Sequence, residues 1–89
     1  MMESTRKVLR ALKRHKTRAT YRAVGDVIGL HWRNVGHELR VRCPDASWVV
    51  NKKTKRPTGY SPSELDPSLF ESDRIISTEG ELRALLRRS

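Results

Sequence analysis

Cysteine is almost absent from this chain. Its one thiol, Cys43, cannot close an intramolecular disulfide, so a disulfide-stapled framework is excluded. Aromatic residues are scarce as well. The five present (Tyr21, Trp32, Trp48, Tyr60, Phe70) form no stacking-platform motif of the kind that reads single-stranded RNA. No apolar run approaches the roughly 18–20 residues that span a bilayer. The opening residues, Met1-Met2-Glu3-Ser4-Thr5-Arg6-Lys7, lack the apolar centre of a signal peptide. His15, His31, His37 and Cys43 match no zinc-site spacing, so no metal and no other cofactor is expected. Hydrophobic residues fill only 36% of the 89 positions. That suffices for one small core, read as a single domain over 1–89, and is too little for a large enzyme with a deep cleft of its own. These absences point to a soluble, non-enzymatic protein of the cytoplasm, nucleoid-associated if bacterial.

Acid is the remaining deficit. Ten Asp and Glu stand against nineteen Lys and Arg, a formal charge of +9. The excess is uneven. Residues 1–43 carry eleven basic and three acidic side chains, whereas residues 44–89 are nearly balanced. Within that second half Lys52, Lys53, Lys55 and Arg56 form a compact cluster, and residues 60–82 hold six acids against Arg74 alone. Such asymmetry favours a polyanionic partner approached from one side. An anionic membrane is the poorer candidate, because the first basic helix has a short apolar stripe and no aromatic anchor.

Periodicity predicts a helix over residues 5–15, with Val8, Leu9 and Leu12 inward and Ser4 or Thr5 as its cap. A second helix is predicted over 20–28, capped by Thr20 and stopped by Gly29, and a third over 33–42, ended by Pro44. Gly36 inside the third helix costs about 1 kcal/mol relative to Ala, which close packing on the second helix should offset. Two short helices joined by a glycine-containing turn outline a helix-turn-helix. The β-prone Ser47-Trp48-Val49-Val50, the basic turn-rich run 51–59 and Tyr60 read as a hairpin with a charged tip. Trp48 is expected as a core residue of that hairpin. Ser61-Pro62-Ser63-Glu64 carries a capping-box pattern, Asp66-Pro67 starts a turn bearing Leu69 and Phe70, and Thr78 caps a last helix above Ile75 and Ile76. The expected fold is therefore mainly α with a small β-hairpin, a winged-helix-like helix-turn-helix domain, followed by an acidic helical segment over 61–89.

The middle of the chain resembles a known family. Thr20-Tyr21-Arg22-Ala23-Val24-Gly25-Asp26-Val27-Ile28-Gly29-Leu30, followed by Arg33-Asn34-Val35-Gly36-His37-Glu38-Leu39, is similar to the DNA-binding domain of O6-alkylguanine-DNA alkyltransferases, and still more to the stand-alone alkyltransferase-like proteins. The resemblance covers residues 5–60. It implies that Tyr21 packs against the DNA backbone near a flipped nucleotide and that Arg33 fills the gap left in the base stack. It also implies that Asn34, Val35, Gly36 and His37 face the minor groove, and that Val49-Val50-Asn51 corresponds to the Val-Val-Asn/Ser after the reactive motif. The reactive Pro-Cys-His-Arg is missing, because Asp45-Ala46-Ser47-Trp48 stands before Val49-Val50. Cys43 lacks the neighbouring base that a nucleophilic thiol needs and is expected to be structural.

Double-stranded DNA is thus the expected partner. Tyr21, Arg22, Arg33, Asn34, His37, Arg40, Lys52, Lys53, Lys55 and Arg56 are the candidate contacts. Phosphate contacts should dominate, with any base reading from Arg33, Asn34 and His37. Two alternatives remain open. One is a protein-interaction adaptor, a homodimer included, working through the acidic 60–82 segment; the other is a residual alkyltransferase using Cys43.

Overall fold

The computed structural model describes residues 2–39 and 44–88. Four α-helices surround a small sheet: α1 (Glu3–His15), β1 (Arg18–Thr20), α2 (Tyr21–Ile28), α3 (Trp32–Leu39), β2 (Val49–Val50), β3 (Ile75–Ile76) and α4 (Glu79–Arg87). Two 3-10 turns, Pro44–Trp48 and Pro62–Glu64, complete the order. The expected end of the third helix over 40–42, with Arg40 and Cys43, lies outside the described residues.

Local signals set most helix ends. Thr20 Oγ1 accepts the Ala23 N–H at 3.2 Å, and Gly29 closes α2 in the left-handed region at φ 81°. Thr78 Oγ1 accepts the Glu81 N–H at 3.3 Å and donates to Glu81 Oε1 at 2.9 Å, capping α4. The Ser61 N–H donates to Glu64 Oε1 at 2.8 Å, the reciprocal arm of a capping box. The start of α1 is different. Neither Ser4 nor Thr5 caps it; Met2 is the capping position, without a side-chain bond. Instead Glu38 of α3 places Oε2 there, accepting from the Met2 N–H at 2.6 Å and from Thr5 Oγ1 at 2.7 Å. A carboxylate at a helix N-terminus meets the positive end of the macrodipole, so one side chain both caps α1 and ties α3 to it.

The expected hairpin is replaced by a parallel sheet of order β2-β1-β3. Ala19 and Thr20 lie opposite Val49 and Val50, and Arg18 and Ala19 opposite Ile75 and Ile76. The antiparallel return from Tyr60 does not form. Arg56-Pro57-Thr58 intervenes, and proline has no N–H to give a ladder. The apolar Val49-Val50 pair finds a better partner in β1, where both of its side chains are buried. The second half of the chain is no appendage, because β3 completes the sheet and Leu82 and Leu85 of α4 join the common core.

That core gathers Leu12, Val24, Val35, Trp48, Leu69 and Ile76, all fully buried, as expected for Trp48. The close approach between α2 and α3 involves Gly25 rather than Gly36. A Cβ on Gly25 would lie 2.5 Å from the Leu30 carbonyl oxygen and 3.2 Å from Val35 Cγ2. A Cβ on Gly36 would meet nothing within 4 Å, since that residue faces outward.

Candidate functional site

Three helix starts and one loop meet around one cleft of about 740 Å3. Tyr21 and Arg22 come from the first turn of α2 and Trp32 from the start of α3. Asn51, Lys52 and Lys53 come from the loop after β2, and Thr78 and Glu79 from the start of α4. The parallel sheet explains the meeting. α2 follows β1 and the basic loop follows β2, so both leave the same end of adjacent strands.

The turn from α2 to α3 sets where α3 begins. The Gly29 and Leu30 N–H groups both donate to the Gly25 carbonyl at 2.9 Å. His31 then acts as a cap, its Nδ1 accepting the Arg33 N–H at 3.2 Å. Trp32 is half exposed, its ring 5.5 Å from the His31 ring and 5.3 Å from the Arg33 guanidinium. Val35 and Leu39 face the core, while Arg33, Asn34, Gly36 and His37 form an exposed strip.

The basic loop is closed by its own polar groups. Asn51 Oδ1 accepts the Lys53 N–H at 2.8 Å, the Lys55 N–H donates to the Asn51 carbonyl at 2.8 Å, and the Asn51 N–H donates to the Arg56 carbonyl at 2.9 Å. Lys55 sits at φ 60°, a left-handed conformation that costs a non-glycine residue roughly 1–2 kcal/mol. An arginine outside the loop secures it. Arg18 of β1 is buried. It donates through Nη1 to the Lys55 carbonyl at 3.0 Å and through Nη2 to the Ser72 carbonyl at 2.9 Å. Its guanidinium lies 5.1 Å from the Phe70 ring, and the Arg56 guanidinium approaches the same ring at 5.1 Å. Burial lowers the Arg18 pKa from its ordinary value, with Asp73 acting the other way.

The candidate residues therefore divide. Tyr21, Arg22, Lys52 and Lys53 line the cleft. Arg33, Asn34 and His37 stand on the adjoining exposed strip of α3. Lys55 gives its carbonyl to Arg18, and Arg56 lies on Phe70. The Tyr21 hydroxyl accepts the Thr58 N–H at 3.2 Å and keeps its own proton to donate. Arg40 is outside the described residues. The sequence reading missed Arg18, Glu38 and Trp32. Arg18 carried no signal beyond its charge, because a strand arginine looks exposed until its two carbonyl acceptors, 37 and 54 residues away, are in place.

Among the described residues no three His, Cys, Asp or Glu side chains gather where they could hold a metal ion, and no helix is long and apolar enough to cross a membrane. No protein-family model matches the chain, and neither a curated protein nor a solved structure resembles it significantly.

Proposed function

We propose that the protein binds duplex DNA without catalysing a reaction. In this reading α2 and α3 are a helix-turn-helix, α3 is the element that enters a groove, and the basic loop 51–56 takes the position of a wing. The observation that carries the reading is the cleft itself. Arg22, Trp32, Lys52 and Lys53, drawn from three separate stretches of a chain with charge +9, line one opening beside the exposed strip of α3, where Asp26 and the Arg83-paired Glu79 are the acids of the lining. Cations on two sides of a cleft suit two stretches of phosphate backbone. The outward Gly36 supports the same use, since a helix glycine with open space beyond it lets another surface approach the backbone closely. The resemblance of residues 20–39 to alkyltransferase-like proteins points the same way. The Pro-Cys-His-Arg motif is lacking, so the reading is a binding protein rather than a transferase.

Fluorescence anisotropy with plain duplex, duplex carrying one O6-methylguanine, and single-stranded RNA tests it, each probe at two salt concentrations. Duplex binding should weaken with salt, log K falling by about 0.9 per phosphate neutralised for each unit of log salt. Preference for the methylated duplex would identify an alkyltransferase-like sensor. Equal binding to both duplexes would mean a general DNA binder. Absence of binding to either duplex at low salt would overturn the reading.

A further inference from the structure

A second opening lies away from the cleft. It is a groove of about 490 Å3 between α1, α2 and α4, lined by Ser4, Lys7, Arg10, Ala11, Arg14, Val27 and Leu86. No residue lines both openings. Its floor is apolar, with Val27 and Leu86 only partly buried. Its rim is cationic, and no acid lines it. Lys7, Arg10 and Arg14 follow one another at spacings of three and four, so they form a row along one face of α1 roughly 10 Å long. Among the described residues Lys7 and Arg14 make no ion pair, and Arg10 has only an exposed pair with Glu3 at 3.2 Å. Such a pair is worth at most about 1 kcal/mol and is easily exchanged.

We propose that this groove docks an acidic amphipathic helix of a partner protein, two turns of it seated on Val27, Ala11 and Leu86, with carboxylates against Lys7, Arg10 and Arg14. The apolar floor decides against nucleic acid, since phosphates would lie on aliphatic carbon and no aromatic ring is there to stack a base. A second copy of this chain fits poorly, because α4, the helix whose first turn carries Glu79 and Glu81, buries Leu82 and Leu85 in its own core and has no free apolar face to seat. With DNA on the cleft and an acidic helix on the groove, the protein would couple a partner to DNA. The groove argument itself does not depend on DNA binding.

The test uses the whole chain and a labelled 14-residue peptide with Leu at helical spacing and Glu elsewhere, beside a permuted peptide of equal composition without the stripe. The amphipathic peptide should bind one to one, at least tenfold tighter than the permuted one. Lys7→Gln with Arg14→Gln should weaken peptide binding at least tenfold and leave duplex affinity nearly unchanged. Lys52→Gln with Lys53→Gln, an equal change of charge, should do the reverse. If the cleft pair does not affect duplex binding, the DNA reading fails while the groove stands. Equal binding of the two peptides, peptide affinity indifferent to Lys7 and Arg14, or duplex affinity lost through the groove pair would each overturn the groove proposal. So would a self-association that the groove pair abolishes, since the occupant would then be a second copy. Thermal melts of both double variants confirm that the fold is kept.

Discussion

The turn from α2 to α3 is closed by backbone alone, whereas the loop over residues 51–56 adds side-chain braces to its backbone bonds. In the turn, two N–H groups converge on the Gly25 carbonyl and no side chain takes part until His31. In the loop, Asn51 holds the near end and Arg18, from another strand, holds the far end. Both connections shape one cleft, yet they fail differently. A backbone-closed turn is intolerant of a single added carbon and indifferent to the charges around it. A loop braced by side chains tolerates exchange of its exposed lysines and depends on a residue outside itself.

Substitutions can separate the two designs. The largest effect is expected from Gly25→Ala, whose Cβ must displace a backbone oxygen. A loss of about 3 kcal/mol in urea unfolding is expected, in the range of overpacked cores. Arg18→Ala leaves the Lys55 and Ser72 carbonyls without their charged donor and should cost about 2 kcal/mol. It should also blunt the salt dependence of DNA binding as the loop loosens, which Gly25→Ala should not do in the fraction that remains folded. Arg33→Ala should leave stability within about 0.5 kcal/mol, as exposed changes do. It should weaken duplex binding by about 1–3 kcal/mol if the side chain enters the base stack. Gly36→Ala should raise stability by about 1 kcal/mol, because its Cβ meets open space. A simultaneous loss of duplex affinity would show that α3 approaches DNA by its backbone.

The smallest effect concerns acid. Glu71 lies beside the Ser72 anchor of Arg18, and its carboxyl is held below the ordinary value of 4.5, first by Ser68 and then by Lys16. A depressed folded pKa means that its contribution is present above the unfolded value and disappears as pH falls through the folded one. A stability profile of Glu71→Gln should run slightly below the parent near neutrality and meet it in strong acid.

What could be read in advance was whatever a few neighbouring residues decide. Thr20, Gly29 and Thr78 end helices through bonds to residues three or four away, and composition alone suggests those bonds. The sheet was illegible for the opposite reason. Its strands are two or three residues long, and β2 and β3 find β1 across 30 and 57 positions, so nothing adjacent marks the pairing. A hairpin was the natural expectation for Val49-Val50 because local turns leave a signature and distant parallel partners leave none. The Glu38 cap of α1, 36 residues from the N–H it accepts, escaped notice likewise. At the site, the cations were visible as a cluster, but the separation of cleft-lining Lys52 and Lys53 from Lys55, whose carbonyl meets Arg18, and Arg56, which lies on Phe70, depended on those two distant residues.

The placement of β1 at the centre of the sheet also bears on how the chain folds. Each parallel pairing closes a long loop, and each doubling of loop length adds about 0.6 kcal/mol of entropic cost before any contact is gained. The turn-linked α2 and α3 meet through near neighbours in sequence, whereas β2 and β3 must both find three residues already anchored between α1 and α2. High contact order makes docking of β2 and β3 the expected slow stage of folding, and the cleft, lined from the ends of all three strands, is expected to take shape with it.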